Sequence, residues 1–81
     1  MPRSTQRPRE KELLLRFGRG VRRLREKRNL SQEDFAEVAD VHRTYVGMLE
    51  RGEKSPTLGT VAAWARAFGL RPSELLREVG L

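Results

Sequence analysis

The chain has 81 residues, of which 35 % are charged; its formal net charge is +6 and it contains no cysteine. A chain of this length forms one small domain at most, which argues against a large cofactor pocket, and the lack of cysteine excludes disulfides, thiolate zinc sites and thiol catalysis. Residues 1–28 hold eleven Lys or Arg against three Glu, a net +8, whereas residues 29–81 hold six against eight, a net −2. Such asymmetry is consistent either with a solvated surface or with a basic face that meets a polyanion.

Residues 1–9 contain two prolines, three arginines and small polar side chains with nothing to bury. This composition predicts a flexible basic arm, followed by a folded domain over residues 10–81. The only apolar run near the amino terminus covers residues 13–15, far shorter than a signal peptide or a membrane span requires. We therefore expect a cytoplasmic protein.

The first helix is predicted to start near Glu10. Its apolar residues recur at steps of three and four and form one stripe: Leu14, Phe17, Val21 and Leu24. Gly18 and Gly20 each weaken this helix by roughly 1 kcal/mol relative to alanine, and they indicate either frayed first turns or close packing by a neighbour. Asn29 suits the left-handed position after the last turn.

Two short helices follow. Ser31 is a typical N-cap with Asp34 in the capping-box position, and the helix Gln32–Ala39 should bury one side formed by Phe35, Ala36, Val38 and Ala39. Asp40 and Val41 form the turn. The next helix is predicted from His42 or Arg43 to Glu50, with Val46 and Leu49 inward and Gly52 as the stop.

Thr57 should cap a fourth helix that Gly69 ends, with an apolar face of Leu58, Val61, Ala62, Ala65 and Phe68. We expect Trp64 beside this face to pack in the core. Pro72 suits the first position of a fifth helix, which carries Leu75, Leu76 and Val79. Because no alternating β pattern of useful length occurs, the sequence predicts an all-α fold of five short helices.

Residues 31–52 have the features of a helix-turn-helix: a small residue at the helix crossing, inward apolar residues on both helices, and Asp40 at a turn that requires positive φ. Residues 21–69 resemble the Cro and lambda-repressor type of helix-turn-helix, often called xenobiotic-response-element-like. The matching residues are Leu24-Arg25, Leu30-Ser31-Gln32-Glu33, Ala36, Tyr45-Val46, Leu49-Glu50-Arg51-Gly52, Ser55-Pro56-Thr57 and Ala67-Phe68-Gly69-Leu70. The family usually has glycine where this chain has Asp40, so a small loss of stability is expected at the turn.

This resemblance implies a compact lambda-repressor-like domain whose third helix enters the DNA major groove. The residues it places against base edges are Arg43, Thr44 and Met48, and Arg43 is the strongest candidate because a guanidinium can bind guanine O6 and N7 together. The candidates for backbone phosphate are Gln32, His42, Tyr45, Arg51 and Lys54. A packing role for Tyr45 and a helix-capping role for His42 remain open. The family also implies that Arg25 and Glu50 form an ion pair that fixes the third helix.

One short helix contacts few base pairs, so we expect a homodimer on a palindromic operator. The expected interface is the last helix and the end of the chain: Leu75, Leu76, Val79 and Leu81. Because we expect no effector-binding domain, the concentration of the protein itself would control DNA binding. The sequence Arg43-Thr44-Tyr45 resembles the controller proteins of restriction-modification systems, with phage Cro-like repressors and antitoxins as competing interpretations.

The alternative function is a protein-interaction or antitoxin-type module of the same fold with weak DNA binding, which the net −2 of residues 29–81 favours. An enzyme is not expected, because the sequence contains no complete phosphate-binding loop and no Cys-His or Ser-His-Asp set placed in a pocket. The single histidine has no second ligand nearby, so we expect neither a metal nor a cofactor.

Overall fold

The computed structural model describes residues 8–81, which form five helices and no strand, as predicted. The helices are α1 (Pro8–Lys27), α2 (Gln32–Ala39), α3 (Arg43–Glu50), α4 (Leu58–Ala67) and α5 (Pro72–Glu78). Because α1 begins at Pro8, residues 8 and 9 belong to the helix and not to the predicted arm, whose residues 1–7 lie outside the described part of the chain. No helix within residues 8–81 has the length and apolar character needed to cross a membrane.

Side chains at the predicted caps fix where the helices begin. Ser31 Oγ accepts a hydrogen bond from the Asp34 amide at 2.9 Å, and Asp34 Oδ2 accepts one from the Ser31 amide at 3.1 Å, which completes a capping box on α2. Thr57 Oγ1 accepts from the Thr60 amide at 3.0 Å at the start of α4. These bonds satisfy amide groups that the helix itself leaves unpaired.

The turns before and after α2 each contain a left-handed residue, as predicted. Asn29 has φ 58° and Asp40 has φ 59°. Beyond Asp40, the amide of Val41 donates to the Ala36 carbonyl at 2.9 Å, which closes the turn between α2 and α3. Aspartate therefore adopts the conformation for which the family usually has glycine.

The core is centred on three aromatic rings. Phe35 meets Trp64 edge to face at 5.0 Å between ring centroids and stacks on Phe68 at 4.6 Å, both favourable arrangements for aromatic pairs. Trp64 is fully buried, so its predicted packing role is confirmed. The other apolar side chains of the core come from all five helices: Phe17, Val21, Leu24, Ala36, Ala39, Val46, Leu49, Val61, Ala65, Leu75 and Val79.

Two residues that the helical periodicity assigned to buried faces are exposed. Val38 is 58 % exposed near the end of α2, and Leu58 is 88 % exposed at the first position of α4. The buried side of α2 is formed by Phe35, Ala36 and Ala39 and leaves Val38 out, and Leu58 is the first residue of α4. The prediction that they belong to the core is therefore wrong.

Gly18 and Gly20 allow close packing and do not fray α1. A Cβ atom at Gly18 would overlap the backbone oxygen of Leu49 and approach that of Glu50 to 2.6 Å, and one at Gly20 would lie 2.5 Å from Val79 Cγ1. Of the two alternatives that the sequence left open, close approach is the one observed. The glycine at position 18 sets the end of α3 directly against α1.

The last helix supplies core residues. Leu75 is fully buried and Val79 is 2 % exposed within their own chain, so neither side chain has the free surface that the predicted dimer interface requires. Leu76 is partly buried and Leu81 is 44 % exposed. Of the four residues predicted to form the dimer interface, only Leu76 and Leu81 therefore keep exposed surface.

Candidate nucleic-acid interface

Helix α3 buries one side and exposes another. Val46 and Leu49 are buried against the core, whereas Arg43 and Thr44 in the first turn are exposed and Met48 is partly buried. The amino end of α3 thus presents a guanidinium and a hydroxyl to solvent. These are groups suited to the edges of DNA bases.

His42 caps the amino end of α3. Its Nδ1 accepts a hydrogen bond from the Thr44 amide at 3.1 Å, and its backbone is extended as an N-cap requires. The capping role that the sequence left open is therefore the one this geometry supports, because the contact uses one ring nitrogen within the protein. The cap also holds the first turn of α3, in which Arg43 and Thr44 lie.

A buried ion pair holds the other end of α3. Arg25 Nε lies 2.6 Å from Glu50 Oε2 and Arg25 Nη2 lies 3.0 Å from Glu50 Oε1, with side chains only 9 % and 4 % exposed. Arg25 Nη1 donates to the Leu30 carbonyl at 2.8 Å. The two side chains that the family resemblance paired are therefore in contact, and all three guanidinium nitrogens are used.

The charge of this pair is stabilised by its own contacts. The hydrogen bonds that Arg25 donates to Glu50 raise the pKa of Arg25 above its ordinary value, against the opposing effect of burial. Arg25 therefore stays charged over the working range of the protein. The pair fixes α3 to α1 beside Gly18.

Gln32 extends the network to α2. Its Nε2 donates to Glu50 Oε1 at 3.0 Å, so one carboxylate oxygen receives hydrogen bonds from both Arg25 and Gln32. The Gln32 amide also lies against α3, since its two terminal atoms are 3.6 and 3.7 Å from the position of a Cβ atom at Gly47. The sequence did not predict this link between a phosphate candidate and the structural ion pair.

Tyr45 is partly buried and uses its hydroxyl within the protein. The hydroxyl forms a hydrogen bond of 3.3 Å with Thr60 Oγ1, and the ring meets Trp64 edge to face at 6.1 Å. These contacts support the packing role that remained open in the sequence.

Arg51 and Lys54 follow α3 on the exposed side. Arg51 Nε and Nη2 bind the carboxylate of Glu53 at 2.8 and 3.1 Å, whereas Lys54 is exposed. Hydrogen bonding to Arg51 lowers the pKa of Glu53 below its ordinary value of 4.5, and the same contact raises the pKa of Arg51. The sequence reasoning missed Glu53; its position two residues after Arg51, across Gly52, was the available signal.

The sequence matches a known protein family. A family model described as helix-turn-helix covers residues 21–75. The chain belongs to this helix-turn-helix family. The matched region contains the carboxyl-terminal third of α1 and all of α2, α3 and α4, so it includes the capping box, the buried ion pair and the exposed start of α3.

Relatives include control proteins. Control protein C.SmaI of Serratia marcescens is 44 % identical over 61 residues, which cover 75 % of this chain and 73 % of that protein. Control protein C.BamHI of Bacillus amyloliquefaciens is 41 % identical over 63 residues, covering 76 % and 78 %.

A solved structure of a controller protein has a similar fold. The restriction-modification controller protein C.AhdI from Aeromonas hydrophila superposes with a TM-score of 0.75 at 38 % identity, over 79 % of this chain and 97 % of that one. The predicted resemblance to restriction-modification controllers, and the predicted fold, are confirmed.

Proposed function

We propose that the protein is a sequence-specific DNA-binding regulator of transcription that inserts α3 into the major groove. The observation that carries this proposal is the exposed pair Arg43 and Thr44 at the capped start of a helix whose far end is fixed by buried charges. A preorganised helix loses little freedom on binding. Arg43 and Thr44 would contact base edges, with Met48 one turn further along α3.

Backbone contacts would set the position of α3 on the duplex. Gln32 at the start of α2 and the exposed Arg51 and Lys54 are the residues best placed for phosphate oxygens, because helix amino ends and basic groups favour anions. Tyr45 fits a structural role better, since the one polar atom of its side chain bonds Thr60, and His42 fits a capping role, since its Nδ1 accepts from the Thr44 amide. Gln32 and Arg51 each keep a donor beyond their internal bonds.

We further propose a homodimer on a palindromic operator. Two copies related by twofold symmetry would place two α3 helices in successive major grooves, about 34 Å apart. Leu76 and Leu81 offer partly exposed apolar surface for such contact. The protein would act in the cytoplasm, as a regulator and not as an enzyme, with its own concentration setting occupancy of the operator.

Selection of bound duplexes from random DNA tests this function. The expected product has two inverted half-sites whose centres lie about one helical turn apart, and affinity for it should fall steeply with rising salt as condensed counterions are released. Absence of any enriched sequence would contradict sequence-specific binding. Enrichment of a single half-site would instead contradict the homodimer, as would a molar mass near 9.3 kDa by light scattering at the concentration used.

A further inference from the structure

Arg51 lies back over the recognition helix α3 instead of extending into solvent. A Cβ atom at Gly47 would lie 3.0 Å from Arg51 Nη1 and 3.6 Å from Gln32 Oε1. Gly47 is buried, and the guanidinium and the amide both lie close to it. The tight approach is that of Arg51, for which the absence of a side chain at Gly47 leaves room.

Glu53 is what holds the guanidinium in this position. Its carboxylate binds Arg51 Nε and Nη2, so the third nitrogen, Nη1, is the one directed toward Gly47. Two parallel N–H···O bonds fix the plane of a guanidinium as well as its distance. The backbone of Glu53 is itself tied to α3, because its amide donates to the Met48 carbonyl at 2.9 Å.

Gln32 is held in place by the buried ion pair. Its amide nitrogen donates to Glu50, whose carboxylate is held by Arg25. Each of the two side chains near Gly47 is thus positioned by a glutamate: Gln32 by Glu50 and Arg51 by Glu53. Both side chains keep hydrogen-bond donors, since the Gln32 amide NH₂ has a second hydrogen and Arg51 Nη1 carries two, whereas Gln32 Oε1 beside them is an acceptor.

We propose that Glu53 is a positioning residue for DNA binding: it holds Arg51 over Gly47, near Gln32, and so completes an anchor for one backbone phosphate. The inference rests on the proposed function. An anchor prepared in this way binds phosphate without first ordering a long side chain, a cost that a free arginine would have to meet. A bound phosphate would fix the position of the middle of α3 along the duplex.

Net charge alone predicts the opposite effect of removing Glu53 on DNA binding. Glu53 is an exposed carboxylate beside a DNA-binding helix, so its removal should strengthen binding to a polyanion. The two interpretations thus predict opposite signs for the same substitution. An ion pair elsewhere provides the control: Arg22 Nε and Glu26 Oε2 are 3.0 Å apart on the exposed side of α1, with exposures similar to those of Arg51 and Glu53.

The experiment compares Glu53→Ala with Glu26→Ala in the full chain, by titration against a mixed-sequence duplex and against the selected operator. Both substitutions remove one negative charge and release one exposed arginine. We expect Glu53→Ala to weaken binding about three- to tenfold, less than the loss on the order of tenfold for Arg51→Ala, because the charge-assisted contact remains possible but unrestrained. Glu26→Ala should leave affinity unchanged or slightly raise it.

The salt dependence gives a second readout that a purely structural role would not change. Arg51→Ala should lower the slope of log affinity against log salt concentration by about one phosphate contact, and Glu53→Ala should shift it in the same direction. Equal or tighter binding by Glu53→Ala relative to Glu26→Ala would overturn the inference and leave the proposed function standing. Absence of salt-dependent binding by the unmodified protein would overturn both.

Gly47→Ala tests the same anchor by displacing Arg51 without removing a charge. Alanine favours a helix interior over glycine, and the added Cβ meets only the flexible end of Arg51 closely, so the melting temperature should stay the same or rise. Binding should nevertheless weaken at least as much as in Glu53→Ala, because Nη1 is displaced from its place near Gln32. A variant that is as stable as the original chain and binds DNA equally well would contradict the anchor.

Discussion

Two arginine–glutamate pairs lie at the carboxyl end of α3 and share the same geometry of two hydrogen bonds, yet they differ in burial. Arg25 and Glu50 are almost completely enclosed, whereas the side chains of Arg51 and Glu53 are 58 % and 53 % exposed. Loss of one partner leaves an unpaired charge in the core in the first case and a hydrated charge in the second. The buried pair therefore determines where α3 lies, and the exposed pair determines how a surface side chain is presented.

The largest expected effect is that of Glu50→Ala. The substitution leaves Arg25 charged and buried and removes the acceptor of Gln32, so the free energy of unfolding should fall by about 3 to 5 kcal/mol. Chemical denaturation monitored by circular dichroism measures this change. Glu53→Ala is the matched control and should leave stability nearly unchanged, because the pair is exposed and screened by solvent; equal losses in the two variants would remove the distinction between the pairs.

The buried pair also depends on the close approach of α1 and α3. In Gly18→Ala, the new Cβ would overlap backbone atoms of Leu49 and Glu50, which cannot move as a side chain can, so we expect a loss of about 1 to 3 kcal/mol. Gly59→Ala is the control, because its Cβ would meet only Thr57 Oγ1 at 3.6 Å and alanine stabilises a helix by up to about 1 kcal/mol. Thermal melts in which Gly18→Ala is as stable as Gly59→Ala would show that the approach is not tight.

The exposed Arg51–Glu53 pair should make a small contribution to stability that is lost at acidic pH. Because Arg51 stabilises the charged form of Glu53, the contribution of this group to stability is present above its ordinary pKa of 4.5 and is lost as the pH falls through the lowered folded value. An NMR titration of the Glu53 carboxyl should give a midpoint below 4.5 that rises in Arg51→Ala. A midpoint that the substitution does not move would mean that the pair does not persist in solution.

The sequence alone was sufficient for the elements that depend on local chemistry. The cap at Ser31 and the left-handed turn at Asp40 follow from side-chain hydrogen bonding and backbone preference within a few residues, and both are observed. Periodicity was wrong where burial depends on contacts beyond the helix itself. Leu58 has the spacing of a buried residue but, as the first residue of α4, is 88 % exposed.

The site was predictable in outline only. The family resemblance paired Arg25 with Glu50, whereas the position of Glu53 two residues after Arg51 did not by itself show that the two side chains bond across the turn. In the same way, the apolar character of α5 suggested a dimer interface, because the sequence does not show that Gly20 lets α1 pack directly on Val79. Contacts between residues distant in sequence require the assembled fold.

The most direct test of DNA recognition by α3 is the ratio of affinities for the selected operator and for a mixed-sequence duplex, measured for Arg43→Ala. Arg66→Ala is the control, since it removes the same charge from an exposed residue in the last turn of α4. Arg43→Ala should lower the preference for the operator by about 1 to 3 kcal/mol, and Arg66→Ala should leave it unchanged. If Arg43→Ala weakens binding to both duplexes equally, Arg43 contacts phosphate and α3 does not read bases through it.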